Sequence, residues 1–400
     1  MKTPAVLAIL FVAACGAPSP VAETTPSTGQ TPAASARPTP ATSPPAQGGG
    51  GGAIQQPTPG APPSTALAVM VNLFAGQGGY DIALVAVDGR VVARAHALKR
   101  TPIPDASELP YVSASNSRVY YLDGDRDIHY LKADGTSGLV ASVPGSATTH
   151  AAFAVTPDDA RIAVGLLDYT VNPVALTLYV EDVGGAHHSV IFTSTSKYLW
   201  PAGWHAGQLV VAYLGPSGAP FNSTMAKVGY TGRDLTQYPY GPNPYGGINY
   251  HVINPVTAQR EAIVSGGGAS GLPNKVGTAV VQGDAVDWNG QSILWNSPQD
   301  YGSFSASGSV SPDGQVIAAC CPSPGSSGQL VLWFQGGSQK VLPVNVTSID
   351  WVGWFDSAHL ITGFYQSSDG TPAVVDISSN QVTTVAAHGI VATMLPGSLD

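Results

Sequence analysis

Four tyrosines, Tyr230, Tyr238, Tyr240 and Tyr245, fall within sixteen residues of one another, the last three in the Gly- and Pro-rich run YPYGPNPYGG, and Phe221 precedes them. Tyrosine offers large contact area at low conformational cost, so the chemistry is recognition rather than bond making. The stretch, Gly215 to Gly247, interrupts an otherwise regular pattern. Long loops of this kind in compact domains are usually functional or disordered. A smaller interruption, Leu167 to Ala175, carries Tyr169. The bland alternative is a set of aromatic side chains packed onto the body that carries them.

Three other constellations could do chemistry. Asp123, Asp125 and Asp127 have the alternating spacing of a calcium loop, but no glutamate closes the far end as such a loop needs. A hairpin turn is the better reading. Cys320 and Cys321 sit in a strand-like run, where alternation sends the two side chains to opposite faces. They are expected to be packed small hydrophobes rather than a redox pair. His187 and His188 lie in a Gly-flanked turn, with no sequence partner that marks a metal site. There is no H-E-x-x-H, no P-loop and no G-x-S-x-G elbow, so no familiar catalytic signature stands out.

Recurring short strands position these residues. Asp81 to Gly89 (DIALVAVDG) and Asp127 to Gly135 (DIHYLKADG) match with the same spacing, and the frame repeats at Leu176, Asn249, Gln329 and Pro372. Each is an alternating run ending in a turn residue. Upstream of each comes a turn and another strand: Ser115 before Val119, Thr156-Pro-Asp-Asp before Ile162, Ser311-Pro-Asp-Gly before Val316, and Phe355-Asp-Ser before Leu360. Proline presets φ in such a turn and aspartate caps it.

The SPDG and TPDD turns, together with GYDIALVAVDG and GDRDIHYLKADG, resemble the WD40-like repeats of TolB-type β-propellers. The resemblance spans about Ala66 to Leu395. It implies an all-β propeller, and at 40 to 50 residues per repeat about seven four-stranded blades, with six as the alternative count. The uncertainty sits at Gly266 to Trp295, where three strands can be found and a fourth cannot. The resemblance does not extend to propeller peptidases, because no residues remain for a hydrolase domain. The Ser-x-Asp-x-Gly-x-Thr box of sialidase-type propellers is also missing. The first repeat lacks its innermost strand and the run Ile390 to Leu395 has no repeat of its own. Pairing the two would close the ring and remove two open edges.

The N-terminus reads as an export signal. Lys2 is followed by the apolar run Ala5 to Val12, too short to span a bilayer. Val12-Ala13-Ala14-Cys15 resembles a bacterial lipobox, which implies lipidation of Cys15; an ordinary secretory cleavage is the alternative. Residues 16–65 are almost wholly Pro, Ala, Ser, Thr and Gly and are expected to be a disordered tether. At roughly 3.1 Å per residue in extended form it would reach about 150 Å. The domains are therefore expected to be 1–15 signal, 16–65 linker and 66–400 propeller.

Sixteen basic against twenty-five acidic residues, with no Lys/Arg cluster, argue against a nucleic-acid partner, whose phosphates need neutralising. The chain reads as a monomeric, lipid-anchored extracytoplasmic module that binds an envelope protein or a glycan, with no cofactor and no catalysis. The competing class is a propeller hydrolase or lyase with its site in the central channel.

Overall fold

The chain has many short apolar runs of strand length, punctuated by Gly, Pro and Asp, and none with helical periodicity. The computed structural model describes residues 58–76, 78–103, 109–214, 248–280, 285–293, 307–320, 328–346, 352–364, 368–397 and 399. Every regular element among them is a β-strand, and every strand pair is antiparallel.

Blade 1 contains β1 (Leu67–Asn72), β2 (Gly79–Val85) and β3 (Val91–Leu98). Blade 2 is β4 (Val112–Ala114), β5 (Val119–Asp123), β6 (Asp127–Leu131) and β7 (Ser137–Ser142). Blade 3 is β8 (Thr149–Val155), β9 (Arg161–Asp168), β10 (Ala175–Asp182) and β11 (Ser189–Ser194). Blade 4 begins with β12 (Tyr198–His205), β13 (Gln208–Leu214) and β14 (Ile248–Ile253).

The long strand β15 (Arg260–Asn274) then serves two blades. Its first part, Arg260 to Val264, pairs with β14 as the outer strand of blade 4. Its second part, Ala269 to Asn274, pairs with β16 (Gly277–Val280) and opens blade 5. β17 (Ala285–Val286) and a bridge from Val286 to Ser292 complete that blade. Its first strand is the one the sequence hides, because GGASGLPN offers neither alternation nor β-branched residues.

Blade 6 is β18 (Ser307–Val310), β19 (Val316–Cys320), β20 (Gly328–Phe334) and β21 (Gln339–Val346). Blade 7 is β22 (Val352–Trp354), β23 (His359–Thr362), β24 (Ala373–Asp376) and β25 (Val382–Thr384). The last strand, β26 (Ile390–Leu395), lies beside β1 and supplies the missing inner strand of blade 1. The fold is a seven-bladed propeller closed by its C-terminal strand.

The turn chemistry is as the sequence implies. Ser311 Oγ accepts the Val316 N–H at 3.0 Å and donates to Asp313 at 2.6 Å. Thr156 Oγ1 does the same work for Arg161 N–H and Asp158. Neighbouring blades are tied by buried side chains that donate across the junction. Trp204 Nε1 donates to Ala154 O of blade 3 at 3.1 Å, and Trp354 Nε1 to Ser309 O of blade 6 at 3.1 Å. Tyr80 reaches Leu122 O in the same manner. A buried indole or phenol needs such a partner, and in these three the partner is on an adjacent blade.

Cys320 is packed in the core of blades 6 and 7, as expected, but it is disulfide-bonded, which corrects the expectation of a free thiol. Alternation along the strand fixes where a side chain points but does not tell its oxidation state. The other two cysteines, Cys15 and Cys321, lie outside the described residues.

Candidate functional site

Strand direction divides the ring into two faces. Turns joining first to second strands, such as 115–118 and 156–160, lie on one of them, here the turn face. Connections joining second to third strands, together with blade-to-blade crossovers, lie on the loop face. The interruption in blade 3 falls between β9 and β10, and that in blade 4 between β13 and β14. Both are second-to-third connections of adjacent blades, so both open on the loop face. Phe221, Tyr230, Tyr238, Tyr240 and Tyr245 lie outside the described residues, as does Cys15.

Tyr169 is described, and it is half-buried at the foot of its loop. Its ring meets His150 edge-on at 5.5 Å, and its N–H donates to Thr148 O at 3.0 Å. It packs against the core shared by blades 3 and 4. His150 is buried, with Nε2 3.0 Å from Thr101 O. Burial, and after it the Arg100 charge, holds this imidazole down to about 4, so it is neutral near pH 7.

Arg100 itself is buried and donates to the carbonyls of Ala151, Leu109 and Pro110. Its guanidinium lies 4.3 Å from the centre of the Tyr111 ring, a stacked arrangement that the planar group favours. Thr101 is clamped by Asp125, which accepts from its N–H at 2.6 Å and its hydroxyl at 2.8 Å. The crossover from blade 1 is thus bolted to blades 2 and 3.

The foot of the longer loop is braced similarly. Tyr213, one residue before the end of β13, stacks on His251 at 4.8 Å. Burial, then Arg260 and Lys197, keep His251 down to about 4. The Tyr198 hydroxyl lies 2.9 Å from Thr195 O and 3.1 Å from Val174 O. These groups are neutral imidazoles and phenols, or an arginine occupied by carbonyls, set in aromatic contacts. They make rigid supports for a loop. Among the described residues no three His, Cys, Asp or Glu side chains converge as a metal site.

The remaining motifs resolve into local structure. Asp123 accepts the Leu98 N–H at 2.7 Å, Asp125 holds Thr101, and Asp127 accepts from Ser142 Oγ at 2.7 Å. The three carboxylates serve three different segments, as hairpin and crossover caps do. His187 and His188 do have partners, on the preceding strand: Asp182 at 2.6 Å and Glu181 at 2.8 Å. His188 also packs on Tyr179.

Sequence reasoning missed the turn-face pair Arg118 and Asp159, buried and 3.3 Å apart. Nothing in their spacing announces it. The pair also holds residues before the first strand: Arg118 Nη2 donates to Thr58 O at 2.6 Å, and Gly60 N–H reaches Asp159 at 3.4 Å.

No protein family matches the chain, and no curated protein does. Solved structures are similar at low identity. TolB from Acinetobacter baumannii shares 10% identity with a TM-score of 0.39, over 83% of this chain and 66% of that one. A putative TolB from Agrobacterium tumefaciens shares 12% at 0.34, over 83% and 93%. An oligogalacturonate lyase in complex with manganese shares 10% at 0.34, over 82% and 84%. Similarity this low concerns the propeller architecture alone, and the fold stands on this chain's own strand pairing.

Proposed function

We propose that the chain is a membrane-tethered extracytoplasmic binding module whose loop face recognises an envelope protein or a glycan. The observation that carries this reading is that by far the longest connection between strands, residues 215–247, joins the second and third strands of blade 4, so both strand ends that flank it lie on the loop face. Those strands carry a braced, aromatic foot. Binding surfaces are commonly loops held by a rigid scaffold, and Tyr-rich loops suit recognition of either ligand class. In this reading Phe221, Tyr230, Tyr238, Tyr240 and Tyr245 form the contact surface, and Tyr169 supports it from below. The tether is residues 16–65, with Cys15 as its lipid-bearing end.

The test is a pull-down from envelope proteins and a glycan panel with the full chain and with Tyr238, Tyr240 and Tyr245 all changed to Ala. Loss of binding by tenfold or more at unchanged melting temperature supports the reading. Buried aromatics would each cost about 3–5 kcal/mol on truncation, so a large fall in melting temperature would assign the loop to packing instead. Membrane fractionation of Cys15→Ala tests the anchor separately, and unchanged membrane association would remove it.

A further inference from the structure

On the turn face the chain continues past β26 and leaves the sheet. The segment after Leu395 starts at the inner strand of blade 1 and passes blade 2, where Gly397 N–H donates to Ser115 O at 2.9 Å. It ends against blade 4, where Leu399 is buried. His205 Nδ1 donates to Leu399 O at 2.6 Å. The Leu399 side chain lies where Gly203 has no side chain, and a Cβ on Gly203 would come within 2.7 Å of Leu399 Cδ1. Beside the segment, a small cavity is lined by Ser113, Val155, Ala202, Trp204 and Thr393 on the inner strands of blades 1 to 4.

We propose that this groove is a peptide-binding site, filled in cis by the chain's own C-terminal segment, and that its ligand class is a peptide carrying glycine two residues before an aliphatic residue. The polar contacts go to main-chain atoms of the segment, the slot at Gly203 accepts an aliphatic side chain, and the close approach of Ala114 leaves no room for a Cβ at the Gly397 position. That division between main-chain affinity and side-chain specificity is the usual logic of extended-peptide recognition. Pro396, Gly397 and Leu399 belong to no strand of any blade, so they can leave without unpairing the sheet. While seated, the segment forms part of the wall of the adjoining cavity through Gly397. A short covalent connection gives the cis segment an effective concentration of about a millimolar or more. A competing peptide must therefore bind the empty groove well below that value to displace it.

The test uses the chain truncated after Leu395 and the synthetic peptide Pro-Gly-Ser-Leu-Asp, with intrinsic tryptophan fluorescence and heteronuclear NMR as readouts. The truncated chain should bind the peptide saturably, replacing its Leu by Ala should weaken binding at least tenfold, and the full chain should show at least tenfold weaker binding. A folded truncated chain that ignores the peptide, or binds the Leu and Ala peptides alike, overturns the proposal. If truncation prevents folding, the full chain with Leu399→Ala decides by hydrogen exchange. Exchange at Gly397 N–H should rise at least tenfold while that of β26 stays unchanged. An equal rise along β26 would make the segment part of the blade and sink the idea.

Discussion

Arg118 Nη2 and Asp159 Oδ2 lie 3.3 Å apart at 3% and 1% side-chain exposure, and they belong to first-to-second turns of neighbouring blades. Asp159 also accepts from Ser117 Oγ at 2.6 Å and from the Tyr120 hydroxyl at 2.8 Å. Its backbone is left-handed, with φ at 64°, a conformation that Asp and Asn tolerate better than most residues. Asp159 therefore sets a turn with its backbone, while its carboxylate neutralises a buried guanidinium and joins two blades.

Asp159→Asn keeps the shape and the backbone preference but removes the charge. Arg118 is then buried without its counter-ion, and breaking a buried pair from one side costs about 3–5 kcal/mol. Urea denaturation should show a midpoint lowered accordingly, at unchanged slope. A loss below about 1 kcal/mol, the value of an exposed pair, would mean that the junction is open to water.

His150 predicts an acid limb in stability. Its pKa is held to about 4 in the fold against an ordinary 6.5, so the unfolded chain takes the proton first. The stabilisation is complete above about pH 6.5 and is lost as pH falls toward 4, up to about 3 kcal/mol at 1.36 per unit. His251 is shifted in the same direction. Comparing urea midpoints at about pH 7.5 and about pH 4.5, His150→Gln should shrink the difference, and the double variant with His251→Gln should shrink it further. An unchanged difference would place both imidazoles in water.

The repeated turns give a third expectation. Ser311 Oγ is the acceptor for the Val316 N–H inside a buried turn, and Thr156 Oγ1 plays that part for Arg161. Ser311→Ala and Thr156→Val each orphan a backbone donor, at about 1–3 kcal/mol. Thermal melts should show both losses, and they should add, because the two turns share no partner.

How much of this was legible follows from where each strand sits. Second and third strands, such as β5, β6, β19 and β20, announce themselves because they follow SPDG-type turns and alternate. Several inner strands do not: β4 is VSA, β18 is SGSV and the start of blade 5 is GGASGLPN. These three are short or built of small residues, so no periodicity develops, whereas the longer, apolar inner strand Ile390 to Leu395 was readable. The location of the loop face was readable from the two interruptions. Its supports were not, because His150 meets Thr101 and Tyr213 meets His251 through the folding of separate blades. The partners of His187 and His188 were closer at hand, in the Glu181-Asp182 pair that ends β10. The Cys320 disulfide left no mark in the pattern.

Closure of the ring gives the last prediction. Leu67 opposes Leu395, Val69 opposes Thr393 and Val71 opposes Ile390, with a bulge at Ala392 between Thr393 and Val391. Ile390, Val391 and Leu395 are all buried, and so are Val69, Met70 and Val71 across from them. Gly389 enters the strand with φ at 120°, and a Cβ there would strike Val71 O. The pairing thus joins the two ends of a ring more than three hundred residues apart in sequence. Leu395→Ala should cost about 2–5 kcal/mol as a buried truncation, and Gly389→Ala should be destabilising through both strain and clash. Deleting Ile390 to Asp400 removes a whole inner strand, exposing blade 1 and the flank of blade 7 together. That loss is comparable with the 5–15 kcal/mol that holds a domain folded, so the cooperative melt should disappear. Deleting residues 16–57 should leave the melting temperature in place, because the ring's strands and their closure are intact. A chain lacking Ile390 to Asp400 that still melts cooperatively within a few degrees of the full one would show that the ring does not depend on this clasp.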